Sequence, residues 1–442
     1  MRDIAVTMLV CLGLFYTLKK PYIGVLLWSW LGYMNPHRLC YGFAYSMPFA
    51  QITAIITIIA VLFSKESKKV PKDTLVYLLL FFIIWMGLTT LFAFEPEEAE
   101  SQYIKILKIQ LPVFLTIMLI NNKKRVNQLI LVIVISLGYF GTKGGVFTVM
   151  TGGSFRVWGP PGSFVEENNS LAVASLMVIP LMVYLRGIAL KKWQKQLLLF
   201  AIVSMCVSVI GSQSRGAFLA IAIVGGYYWL QTDRKFVSGI VIVVFGVLVA
   251  SFLPESWYQR MDTVNTYEED ESAMGRIRAW QLAINVANHN FLGGGLNLWS
   301  KATYSQYLEG FDPLKNLAFV AHSIYFSVLG EHGWVGLTLF LLIFIVAWQH
   351  CNTLIKNCAG QADKQWIVDL AKMLKVSFLA YLSGGAFLSL SYFDLPWHFV
   401  AIIIVLTAIE KNTSTQSVEQ QIDTIKADNA KVTISPQGFI QR

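Results

Sequence analysis

Several short stretches of this chain carry side chains that could move a charged or glycosidic group. AHSIYFSVLGEHGWVG (321–336) sets His322 where polar sequence gives way to an apolar helix. A helix N-terminus disfavours positive charge, which keeps an imidazole neutral near pH 7, and a neutral imidazole is a competent general base. The plain alternative is a structural histidine at a helix start. Within the following run, Glu331 and His332 are either functional or a buried pair, and Gly330, Gly333 and Gly336 permit close helix packing. GSQSRGAFLA (211–220) contributes Arg215, with no acidic residue close by in sequence. A guanidinium at the edge of a bilayer either snorkels or holds an anion, since its planar fork matches phosphate.

SAMGRIRAWQLAINVAN (272–288) reads as an amphipathic helix with Ile277, Trp280, Gln281 and Ile284 on one side. Arg276 and Arg278 then lie about 100° to either side of that stripe. They are anion-binding arms if the stripe packs onto a membrane bundle, and solvated arginines if it does not. NHNFLGGGLNLWS (288–300) follows, and Gly293–Gly295 allow a tight turn with close backbone approach to a ligand, or a flexible helix stop. TGGSFRVWGPPGSFVEENNS (151–170), preceded by GTKGG (141–145), combines Lys143, Arg156, Glu166, Glu167, Asn168 and Asn169. These are cations for phosphate and amides or carboxylates for sugar hydroxyls; alone, the stretch is a polar loop.

The elements that must position these residues are membrane helices. The 442 residues are 55% hydrophobic and 14% charged, with mean hydropathy +0.56, whereas soluble domains carry about 25% charge. Uniformly apolar runs of roughly 17–25 residues, enough to cross a bilayer, recur along the chain; 74–94 and 236–253 are clear examples, and about twelve spans are counted, with the short 3–18 and 22–35 being two thin spans or one broken one. They lack the alternation of barrel strands, which leaves helices as the way to pair backbone groups in lipid. The fold class is therefore all-α and polytopic. Lys19–Lys20, Lys65–Lys72, Lys123–Arg125, Arg186–Lys195 and Arg234–Lys235 mark alternate connections as cytoplasmic. The opposite side receives 35–48, the acidic 95–102, 151–168, 211–215 and the long stretch 254–321, which holds Trp257, Tyr258, Trp280, Phe291 and Trp299.

The chain thus divides into helices with short loops (1–253), a large partly helical outer loop (254–321), C-terminal helices (322–410) and a polar cytoplasmic tail (411–442). The N-terminal apolar segment reads as a retained span or half-span rather than a cleaved leader. Five cysteines, an odd number, show neither a disulfide framework nor metal-ligand spacing. The loop bias accounts for the net charge of +9 without a nucleic-acid partner.

At these residues the sequence resembles the O-antigen ligase superfamily, which also holds O-antigen polymerases and oligosaccharyl ligases that modify proteins. The sharpest match is the helix-opening pattern His322, Ser323 and Gly333, with Phe326 where the family usually has Leu. GRIRAWQLA followed by LGGGL resembles the family's arginine-bearing helix and Gly-rich turn, with Asn290 near the place of its usual Pro. SRG (214–216) resembles its arginine at the outer end of a span. The stretch 143–172 is similar to a subgroup described as O-glycosylation ligases associated with exosortase systems.

The resemblance implies an inner-membrane glycosyltransferase with its site facing the periplasm. It implies a glycan donor on undecaprenyl pyrophosphate and a lipid A–core acceptor. No cofactor or metal is implied, and EEDE (268–271) is the nearest approach to a carboxylate pair in the outer loops. His322 would deprotonate or orient the acceptor hydroxyl, while Arg215 and Arg276 stabilise the leaving pyrophosphate. Arg278, Lys143, Arg156, Glu167, Asn168, Asn169 and Tyr325 form the expected substrate-binding set. Displacement in one step would invert an α-linked donor. Rival readings are an O-antigen polymerase or protein oligosaccharyltransferase using the same donor, and a transporter of lipid-linked glycans, which would need more charge within the spans.

Overall fold

A computed structural model describes residues 1–66, 68–231, 235–237, 239, 240, 243, 244, 246 and 271–432, without the side chains of 271–272 and 414–432. Most of the expected span 236–253, Arg234, loop residues 254–270 with Trp257 and Tyr258, most of the acidic run 268–271 and the tail beyond 432 lie outside the described residues. Of the described residues 77% are helical, and none lies in a strand. Fourteen α-helices are described: α1 (Arg2–Lys19), α2 (Tyr22–Met34), α3 (Phe49–Phe63), α4 (Thr74–Leu91), α5 (Pro96–Leu119), α6 (Lys123–Met150), α7 (Asn168–Ile188), α8 (Lys192–Gly211), α9 (Arg215–Gln231), α10 (Glu271–His289), α11 (Lys301–Tyr307), α12 (Ile324–Cys358), α13 (Gln365–Gly384) and α14 (Asp394–Val432). Six of them, α4–α8 and α12, are long and apolar enough to cross a membrane, and α2, α3 and α9 are shorter apolar helices. The chain is a multi-pass helical membrane protein.

Connections gather at two ends of the bundle. At the lysine-rich end Arg125 pairs with Glu66 at 2.8 Å and Lys123 sits 5.5 Å above the Trp366 ring. At the other end the Asp3 carboxylate accepts from the amides of Gly42 and Ala44, and Gln213 Nε2 donates to the Gly153 carbonyl at 3.0 Å. The acidic stretch expected as a connection at 95–102 is instead mostly the first turns of α5. Pro96 opens that helix, and Glu97 and Glu98 lie in its first turn, where negative charge complements the helix dipole.

Helix α7 is the centre of the bundle, buried along most of its length between α6, α8 and α13. GTKGG (141–145) is not part of the outer loop. It lies inside α6, where a Cβ on Gly144 would strike Ser208 and one on Gly145 would strike the Ser204 backbone. Small residues let α6 and α8 approach backbone to backbone, and with Gly144 and Gly145 turned to α8, Lys143 is left on the exposed side of α6.

Helix α12 is broken at Gly333, whose φ of 66° and ψ of −172° are not helical. The triglycine turn docks into this break. Gly294 N donates to Gly330 O at 2.8 Å and Gly295 N to Glu331 O at 3.0 Å. The close approach expected for Gly293–Gly295 is thus made to the chain's own backbone rather than to a ligand. Beneath it, the Glu331 carboxylate accepts from Asn297 N and Trp299 Nε1, each at 3.3 Å, and from Tyr392 OH at 2.5 Å. His332 bridges Tyr392 OH at 2.8 Å and Thr89 Oγ1 at 2.7 Å. Glu331 and His332 therefore form a buried, hydrogen-bonded brace among α4, α12, the 290–299 turn and the segment before α14.

Candidate functional site: an arginine-lined cleft beside His322

Three connections and one helix converge at the end of the bundle opposite the lysine-rich loops. Asn168, at the start of α7, donates through Nδ2 to Ser212 O at 2.7 Å and so locks the α8–α9 turn onto α7. In that turn Gln213 takes a positive φ of 55° and pins the 151–167 connection. Ser214 Oγ accepts from Ala217 N at 3.2 Å, satisfying an amide at the opening of α9. Arg215 follows as the first residue of α9, with its side chain exposed.

Arg276 comes from α10, near that helix's start. The buried face of α10 is Ala279, Leu282, Ala283 and Val286 rather than the expected stripe of Ile277, Trp280, Gln281 and Ile284. At about 100° per residue the two faces are roughly 150° apart. Small side chains win because α10 packs tightly on α12: a Cβ on Gly330 would sit 3.2 Å from Ala283 Cβ. The two arginines still flank the packed face, but they part company. Arg276 enters the cleft. Arg278 faces the other way, toward Tyr304; its charge opposes the burial that pushes that hydroxyl up to about 12.

The resulting polar cleft, about 120 Å³, is lined by Arg156, Asn168, Asn169, Gln213, Ser214, Arg215, Gly216, Arg276, Phe387 and Leu388. His322 adjoins it. Trp280 clamps the segment on both sides of this histidine: its Nε1 donates to Ala321 O at 2.8 Å, and its ring stacks on Phe326 at 4.8 Å with 13° between planes. His322 has a φ of 45° and its Nδ1 lies 3.5 Å from Ser389 Oγ. Burial lowers its pKa below the ordinary 6.5, the Arg276 charge lowers it further, and Glu167 opposes them. The neutral imidazole expected from a helix N-terminus is therefore produced first by desolvation and then by a neighbouring cation.

Of the residues expected to act together, the fold gathers Arg156, Asn168, Asn169, Arg215 and Arg276 in the cleft, with His322 and Glu167 next to it. It does not gather Lys143 or Arg278. Tyr325 is also outside: its hydroxyl donates to Leu382 O at 2.8 Å and ties α12 to α13. The 385–393 connection, which supplies Phe387, Leu388 and the nearby Ser389, escaped the sequence reading because its residues, GAFLSLSYF, carry no periodic or charged signal.

The fold and this cleft define a polytopic helical membrane protein whose cations converge at one membrane face. Residues 200–341 match the family described as O-Antigen ligase, and residues 1–189 match a family of unknown function (DUF5935). No curated protein matches the chain. Residues 200–341 thus carry a likeness to the O-antigen ligase superfamily, which supports a glycosyltransferase-type activity. Arg215, Arg276 and His322 lie in the matched domain, whereas Arg156, Asn168 and Asn169 lie in the other matched region. The cleft is built from both.

Proposed function

We propose that this protein transfers a glycan from undecaprenyl pyrophosphate to a sugar hydroxyl of lipid A–core, at the periplasmic face of the inner membrane. The observation that carries the reading is the convergence of Arg156, Arg215 and Arg276, from three separate elements, in one cleft beside His322. A pyrophosphate leaving group gains charge as the glycosidic bond breaks, and fixed guanidinium groups stabilise that charge most where water is thin. Arg276 is half-buried and Arg215 exposed, so Arg276 is assigned the stronger contact and Arg215 the outer one. Asn168 is already committed to Ser212, which leaves Asn169 to meet a sugar hydroxyl.

His322, neutral at pH 7, accepts or orients the acceptor proton. The acceptor oxygen bonds to the anomeric carbon as the carbon–oxygen bond to pyrophosphate breaks, so an α-linked donor gives a β-linked product. The proton passes from the acceptor hydroxyl to the imidazole. The positive-inside pattern supports the periplasmic placement, because the cleft lies opposite the lysine-rich connections.

The test is a transfer assay with purified protein, undecaprenyl-pyrophosphate glycan and rough lipopolysaccharide in EDTA, beside a folded His322→Ala protein. Slower-migrating lipopolysaccharide from the wild type alone is the expected result. Product from both proteins would remove His322 from the chemistry. Turnover of the donor only on a second glycan or on a protein would move the assignment to a polymerase or protein oligosaccharyltransferase.

A further inference from the structure

A second cavity, about 560 Å³, shares no lining residue with the arginine cleft and is bounded by α2, α3, α5, α6, the start of α14 and residues 162–165. Its walls are mostly apolar, with Trp28, Leu137, Phe164 and Phe393 among them. The volume falls within the ~300–1,000 Å³ of small-molecule sites; it has room for one lipid chain and not for a whole two-chain lipid.

The helices around it are short. With 13 and 15 residues, α2 and α3 rise only about 20–22 Å at ~1.5 Å per residue, less than the ~30 Å hydrocarbon core. A bilayer meeting such spans thins or reorganises locally, bringing headgroups toward them. At this place Lys108 lines the cavity, and both it and Lys105, about one turn earlier on α5, are exposed. The Asp394 carboxylate also lines the cavity and is engaged by the backbone amides that open α14. Gly32 keeps the floor open: a Cβ there meets only Asp394 Oδ2, at 3.5 Å.

We propose that this cavity is a lipid site, taking one apolar chain of an anionic phospholipid whose phosphate pairs with Lys108. The proposal stands independently of glycan transfer. It is tested on the purified full chain by native mass spectrometry after incubation with phosphatidylglycerol, phosphatidylcholine or polyprenyl phosphate. Phosphatidylglycerol should be retained about fivefold over phosphatidylcholine, the effect of one lysine near a membrane surface. Lys108→Gln should abolish that preference while phosphatidylcholine retention is unchanged. Gly32→Phe, and independently Ala54→Leu, should reduce retention of both lipids in monodisperse protein with an unchanged melting midpoint. Equal retention of the two phospholipids by the wild type, or unchanged retention in both filled variants, would overturn the site. Polyprenyl phosphate retained in preference to phosphatidylglycerol would overturn the phospholipid assignment.

Discussion

Replacing Gly333 with alanine should destabilise the protein and disperse the cleft, although Gly333 does not line it. At φ 66° and ψ −172° the residue occupies backbone space that is essentially closed to L side chains, and occupying it costs about 1–3 kcal/mol. An added Cβ would lie 2.5 Å from Phe291 O and 3.2 Å from Gly293 N. Both atoms are backbone, so no rotamer relieves the clash and the triglycine turn must retreat. That retreat breaks the bonds from Gly294 N to Gly330 O and from Gly295 N to Glu331 O. Each buried amide left unsatisfied costs about 1–3 kcal/mol, so the two amides and the strain together come to roughly 3–9 kcal/mol. The turn directly follows α10, so the same movement shifts Arg276 away from Arg215.

The assay is thermal unfolding in detergent, followed by a thiol-reactive fluorophore that reports exposure of the buried Cys40, Cys351 and Cys358. A drop of several degrees is expected, taking about 1–2 °C per kcal/mol for a chain of this size, together with loss of transfer. Gly225→Ala is the control, since a Cβ there meets nothing and a helical glycine-to-alanine change gains up to ~1 kcal/mol. Wild-type melting and transfer in the Gly333→Ala protein would refute the brace.

Arg276→Ala should slow transfer ~10²–10³-fold, as for loss of one preorganised donor, with Arg276→Lys recovering only part; full activity in the lysine variant would remove the bidentate role. Because the folded pKa of His322 is lowered, the transfer rate should hold as pH falls through 6.5 and decline only below it, and an acid limb at or above 6.5 would contradict a neutral imidazole base. The same shift means that the unfolded chain takes up this proton first. Stability from His322 is thus present above 6.5 and lost as pH falls toward the folded value, a dependence that a His322→Gln melting series should lack. Trp280→Ala should cost the ~0.5–1.5 kcal/mol of an aromatic pair and lower the transfer rate, while Trp280→Phe should keep the stack and lose only the bond to Ala321, measured by melting and turnover together. Tyr325→Phe should leave transfer near the wild-type rate and cost about 1 kcal/mol of stability, since its hydroxyl serves Leu382; a large loss of rate would return Tyr325 to the substrate set.

Much of this molecule was determined by sequence alone. Apolar runs of spanning length and alternating lysine clusters dictate membrane helices, because lipid leaves backbone groups no other partner. A histidine before an apolar helix and arginines at the ends of others mark the candidate chemistry, because charge is costly in lipid and is kept where it serves. Only the tertiary structure decided which cations meet. Arg276 and Arg278 are equivalent by periodicity, and they separate because close packing of α10 on α12 favours the alanine face over the larger apolar stripe. Lys143 is lost to the site because Gly144 and Gly145 face α8, and the triglycine turn serves a helix break because Gly333 opens one in α12. Such outcomes turn on sub-ångström fits between elements distant in sequence, to which the pattern within any one element is blind.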